Sequence, residues 1–105
     1  MNQQLTEQVK LELNDKGHGK FLFVKEETYI GEMVVSVAGD ILTVYHTEVQ
    51  PAYEGKGIAG QLLDAMVAYV RAHHMKVRPL CPYVLAQFRR HPDRYTDIWL
   101  KEVVH

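Results

Sequence analysis

Apolar and polar positions alternate along the first half of the chain. Val9, Leu11 and Leu13 are interleaved with Lys10, Glu12 and Asn14, a period of two that predicts a half-buried strand. Asp15-Lys16-Gly17-His18-Gly19 is a turn, and Phe21-Leu22-Phe23-Val24 is a second strand. Glu26-Glu27 breaks the pattern, and Tyr29 to Val37 predicts a third strand. Ala38-Gly39-Asp40 turns the chain into a fourth, Ile41 to Val49. The short connections imply a four-strand antiparallel meander. The period then changes. Ile58, Ala59, Leu62, Leu63, Met66, Val67 and Val70 form one stripe at helical spacing, with Gln61, Asp64 and Arg71 off it, and His73 and His74 fall in the last turn. Lys76 to Cys81 is short and extended. A helix between two strands makes a crossover, so this strand is expected parallel to Ile41–Val49. Pro82 suits the first turn of another helix, running through Tyr83, Leu85, Phe88 and Arg89 and ended by Pro92. Tyr95, Ile98, Trp99 and Leu100 supply apolar area for a docking tail. The expected class is α/β (α+β): a mixed sheet built of a meander, a crossover helix, a parallel fifth strand and a C-terminal helix.

Composition narrows this picture. The chain has 105 residues, 47% hydrophobic and 24% charged, as expected for one globular domain over residues 1–105 and unlike a disordered chain. A formal net charge of −1 gives no general pull toward nucleic acid or an anionic membrane. No apolar run approaches the roughly 20 residues of a membrane span. Met1 to Glu7 has neither a basic nor an apolar leader region. Cys81 is the single cysteine and has no internal disulfide partner. A soluble protein of a reducing compartment, the cytoplasm, is the expectation.

Between the last meander strand and the long helix lies Val49-Gln50-Pro51-Ala52-Tyr53-Glu54-Gly55-Lys56-Gly57-Ile58-Ala59-Gly60. A glycine-rich turn opening a helix is a natural anion site. Its N–H groups lack helical acceptors, and the helix dipole adds partial positive charge. Gly55 to Gly60 matches G-x-G-x-x-G, but a dinucleotide site also needs an acidic residue at the end of the next strand. Val77 to Leu80 contains none, and the chain opens with a meander rather than βα units. A phosphate loop of the Gly-Lys-Ser/Thr type fails because Gly57 follows Lys56. The alternative is that the glycines only shape a turn and let the helix pack closely.

The run resembles the signature Arg/Gln-x-x-Gly-x-Gly/Ala of the GNAT-superfamily N-acetyltransferases, which maps here onto Glu54, Gly57 and Ala59. Val49, Pro51, Tyr53 and Leu62-Leu63 resemble its usual context. His46-Thr47-Glu48-Val49 and Val77-Arg78-Pro79-Leu80-Cys81-Pro82-Tyr83 resemble the small subfamily of about 100 residues, in the same order as the glycine run. The resemblance extends from about Leu11 to Trp99. It implies acetyl-CoA as co-substrate, bound by Val49, Gly55, Lys56, Gly57, Ile58, Ala59 and Gly60, with the loop amides taking its pyrophosphate. It implies transfer to a small amine or an exposed protein amine. There are two departures. Glu54 stands where Arg or Gln is usual, so its carboxylate is expected to turn away or to pair with Lys56. The helical segment that usually follows the first strand is also missing.

Amine acetylation requires a base for the amine, polarisation of the thioester carbonyl and an acid for the leaving thiolate. The resemblance implies that the last two strands splay apart around the thioester. His46 and Glu48, two apart on one strand face, are candidate bases; a structural histidine and a solvated glutamate are the alternatives. The family resemblance makes the N–H groups near Val49 the carbonyl polarisers. Cys81, where a strand ends and a helix begins, is a candidate for taking the acetyl group transiently or orienting the thioester, against a merely buried thiol. Tyr83 is the candidate acid, against core packing. His18, His46, His73, His74, His91 and His105 show no ligand spacing, so no metal is expected. Arg89, Arg90 and Arg94 form a basic patch suited to the 3′-phosphate of CoA or to solvent. A non-catalytic CoA-binding module is the alternative to a transferase.

Overall fold

The computed structural model describes residues 2–101. Six strands form one sheet in chain order: β1 (Asn2–Gln4), β2 (Val9–Leu13), β3 (His18–Lys25), β4 (Thr28–Ala38), β5 (Ile41–Val49) and β6 (Lys76–Pro79). Neighbours β1 to β5 are antiparallel, and β5 and β6 are parallel across the helix α1 (Ile58–Ala72). Two short helices follow, α2 (Pro82–Arg90) and α3 (Pro92–Tyr95). The mixed sheet, crossover helix and parallel last strand agree with the sequence reading. The meander carries one strand more than expected, because Asn2–Gln4 pairs with Lys10–Glu12.

The register sorts residues by face. Leu11, Phe21 and Met33 are aligned across β2, β3 and β4, and Val35 is aligned with Val44. These side chains are buried beneath α1, whose Leu62, Met66 and Val70 complete the core. Each large side chain so buried stabilises the fold by about 1.5–3 kcal/mol. Gly31 shares this face. A Cβ there would lie 2.9 Å from Ile58 Cγ2, so a glycine lets the first turn of α1 sit close on β4. The other face bears Lys20, Glu32, Ser36, Tyr45, His46 and Glu48, and among the described residues no helix covers it. The tail docks as expected: Val77 N–H donates to Ile98 C=O (2.7 Å), and Leu100 N–H donates to Val77 C=O (2.9 Å). Pro92 does more than end α2, because it opens α3. Among the described residues, no helix is long and apolar enough to cross a membrane.

Candidate active site

The site is built where β5, the glycine turn and the start of α2 meet. A 3₁₀ turn at Pro51–Tyr53 leads to Gly55 and Gly57, both with φ of +78°. That left-handed conformation disfavours any residue with a Cβ. Gly57 is the residue before α1, and no side chain caps the helix. The first helical hydrogen bond is Gln61 N–H to Gly57 C=O at 3.1 Å. The N–H groups of Ile58, Ala59 and Gly60 therefore precede the helical ladder and project from the positive end of α1. The first turn carries no acid. These amides open into a cavity of about 340 Å³ walled by Val49, Tyr83 and the segment from Tyr53 to Gly60. Lys56 alone of that segment is outside the wall. Glu54 lines the cavity, and among the described residues it forms no ion pair with Lys56.

The strands beside this cavity separate. Their last paired residues are Val44 and Pro79, and Cys81 N–H still donates to Val44 C=O at 2.8 Å. There β6 ends and α2 begins, while β5 continues to Val49 with, among the described residues, no strand on that side. Gln50 N–H donates to Ile30 C=O on the β4 side (2.9 Å), so strand alternation turns the Val49 N–H toward the gap. One extra residue, Tyr45, sits in β5, since Val34 aligns with His46 and Val35 with Val44. The bulge puts Tyr45 and His46 on the open face and returns Thr47 to the helix face. Thr47 Oγ1 is 3.4 Å from Cys81 Sγ across the gap.

The predicted catalytic residues fall into two groups. Cys81 and Tyr83 share the helix face with the glycine turn. Cys81 is 1% exposed, with Thr47 Oγ1 beside its sulfur. Tyr83 is half-buried, and that burial raises its phenol pKa; Tyr95, Asp64 and Cys81 push the same way. His46 and Glu48 lie on the open face, His46 Nε2 3.6 Å from Glu48 Oε2, both well exposed. The gap beside Val49 separates the two groups. Arg89 and Arg90 are exposed in the last turn of α2, the end opposite Tyr83. Thr47 and the Tyr45 bulge escaped the sequence reading; the run Tyr45-His46-Thr47, amphipathic at every position, gave no phase to follow. Among the described residues no His, Cys, Asp or Glu cluster suits a metal, and His105 lies outside them.

The sequence profile of the GCN5-related N-acetyl-transferase family matches residues 20–98. This chain belongs to that family. No protein in the curated set matches it. Among solved structures, a GCN5-like putative N-acetyltransferase from Staphylococcus aureus superposes with a TM-score of 0.65 at 22% identity, covering 95% of this chain and 96% of that one. A ribosomal-protein-alanine N-acetyltransferase from Brucella melitensis biovar Abortus 2308 gives 0.61 at 18% identity, covering 87% of this chain and 67% of its own. The ribosomal-protein-S18-alanine N-acetyltransferase from Escherichia coli gives 0.58 at 15% identity over 63% of this chain, which spans only 43% of that enzyme. At these identities the likeness is one of GCN5-related fold, and it extends end to end for the small staphylococcal protein.

Proposed function

We propose that this chain transfers an acetyl group from acetyl-CoA to the nitrogen of a primary amine, either a small molecule or a group exposed on a protein. One observation carries the reading beyond family membership. The unpaired amides at the start of α1 open into the same cavity as Val49 and Tyr83, beside the gap between β5 and β6. Those donors suit a pyrophosphate, and a Cβ at Gly55, Gly57 or Gly60 would meet nothing within 4 Å, so the approach is open. Gly55, Gly57, Ile58, Ala59 and Gly60 hold the pyrophosphate, with Lys56 adding charge from outside the wall. Glu54 opposes it and moderates affinity.

Acetyl-CoA, when bound, supplies an activated thioester. Val49 N–H polarises its carbonyl from the gap. His46 and Glu48 take a proton from the amine on the open face. Tyr83, its phenol held protonated by burial, donates on the helix side. Cys81 and Thr47 wall the gap and orient the thioester; burial disfavours the route in which Cys81 is acetylated. In the net reaction one N–C bond forms, one C–S bond breaks, and the ammonium's two lost protons end on the thiol and in solvent.

Titration with acetyl-CoA, CoA and NAD, followed by amide chemical shifts, tests the binding half. Acetyl-CoA is expected to move Gly55 to Gly60 and to stabilise the fold by about 2.7 kcal/mol at a hundredfold over Kd. Silence toward acetyl-CoA ends the reading. Thiol release with a panel of amines tests the chemistry, and binding without release identifies a non-catalytic CoA-binding module. Mass spectrometry after incubation is expected to find no acetyl adduct on Cys81.

A further inference from the structure

The cavity at the glycine turn runs into the gap between β5 and β6, where Val49 walls it on one side and Tyr83 on the other. Thr47 stands two residues back along β5 from Val49 and on the same face, which places it about 6–7 Å deeper in the gap. Cys81 stands two residues before Tyr83, where β6 has ended and α2 has yet to begin. The gap therefore has a mouth, Val49 with Tyr83, and a floor, Thr47 with Cys81. At the mouth the two sides leave room for a cavity. At the floor they touch, with Thr47 Oγ1 3.4 Å from Cys81 Sγ.

The fold holds this floor shut. The bulge at Tyr45 turns Thr47 to the helix face, whereas regular alternation from Val44 would turn it to the open one. Cys81 N–H donates to Val44 C=O at 2.8 Å, which fixes the backbone that carries the thiol. Val44 is fully buried and Cys81 is 1% exposed, so the packed core begins directly behind the contact. A close-packed interior does not admit an added methylene without forcing side chains off their rotamers. Two carbons approach no closer than about 3.5–4.0 Å, which leaves about 3 Å of free depth between the level of Val49 and the floor. A methyl group fits in that depth and an extended propyl group does not.

We propose that Thr47 and Cys81 limit the length of the acyl group that this chain accepts from CoA: acetyl seats between mouth and floor, and butyryl and longer chains are excluded. The assignment rests on the transferase reading above and adds to it the class of donor. Thr47 and Cys81 are specificity-determining residues that act by shape, their hydroxyl and thiol being turned toward each other across the gap.

Titration of isotope-labelled protein with CoA, acetyl-CoA and butyryl-CoA, followed by amide shifts, tests this without any turnover. All three are expected to move Gly55 to Gly60. Acetyl-CoA is expected to move Thr47 and Cys81 beyond what CoA does. Butyryl-CoA is expected to bind about tenfold more weakly than acetyl-CoA, the scale on which a pocket rejects surplus methylenes. Thr47→Ala and Cys81→Ala each empty part of the floor and are expected to bring the two esters to about equal affinity. Thr47→Val keeps the shape without the hydroxyl and is expected to keep the discrimination. CoA shifts at Gly55 to Gly60 establish that a variant is folded, and either alanine variant carries the test alone. The proposal is overturned if the wild-type chain binds both esters equally, if a folded alanine variant leaves their ratio unchanged, or if Thr47→Val relaxes it as far as Thr47→Ala. In each of those cases acetyl-CoA still binds and the transferase reading stands. Silence toward all three ligands would sink that reading, and the floor with it.

Discussion

Tyr83 and Gly57 concentrate the residue-scale argument. The Tyr83 phenol is raised by burial, so it remains protonated throughout the neutral range and has a proton to give. Tyr83→Phe keeps the ring and the packing but removes that proton. It is expected to lower kcat by about 10²-fold, the lower end for loss of a positioned acid, with acetyl-CoA affinity retained. Steady-state kinetics beside a binding titration separate the two effects, and an unchanged kcat would leave Tyr83 a packing residue. Glycines 57 and 60 differ in kind. Gly57 has φ of +78°, and Gly57→Ala is expected to cost about 1–2 kcal/mol and to weaken acetyl-CoA binding as the turn shifts. Gly60 is helical, with open space where a Cβ would go, so Gly60→Ala is expected to add about 0.5–1 kcal/mol to stability. Urea unfolding of the two variants checks the contrast. Equal effects at both positions would mean that backbone conformation is not what the turn requires.

At the scale of elements, strongly periodic segments were legible and weakly periodic ones were not. The stripe from Ile58 to Val70 is buried as expected, because its period has one solution against a sheet. His73 and His74 both fall just outside α1, His73 as the residue that follows it and His74 in a left-handed conformation. Asn2–Gln4 has three exposed polar residues, so its strand comes from edge pairing rather than from any pattern in its own sequence. The glycine turn was legible because glycine spacing at a strand-to-helix junction is a backbone signal. The division of the catalytic candidates was not. His46 and Glu48 share a face, as their spacing requires, but the face is fixed by the bulge at Tyr45, and a bulge is a tertiary choice. The tail shows the same dependence. Phe88 stacks on Tyr95 at 4.6 Å and meets Trp99 edge-on at 5.6 Å, a cluster assembled from α2, α3 and the segment along β6. Trp99→Ala is expected to cost about 2 kcal/mol, below the roughly 3–5 kcal/mol of a fully buried aromatic because Trp99 is half-buried. Denaturant midpoints measure it, and an effect below about 0.5 kcal/mol would show the tail to be ornamental to stability.

For the molecule as a whole, α1 and the chain's last segment are joined by charge as well as by packing. Arg71 Nε donates to Asp97 Oδ2 at 2.9 Å, and Arg71 Nη2 donates to Arg94 C=O at 2.6 Å. The Arg71 guanidinium holds the Asp97 carboxyl below its ordinary value of 3.8, while the unfolded chain returns it there. The folded state therefore binds fewer protons in that window. The Asp97 contribution is fully present above about pH 4 and is lost as pH falls through the lowered folded value. Both side chains are about half exposed, so solvent screening limits the pair to about 1 kcal/mol or less. Asp97→Asn is expected to lose that amount at pH 7 and less at pH 2, as the wild-type carboxyl takes up its proton. Urea unfolding of both proteins at the two pH values measures the difference. A gap between them that persists undiminished at low pH would mean that Asp97 acts through packing or a neutral hydrogen bond, leaving the Arg71 contact to Arg94 C=O as the tie between α1 and the tail.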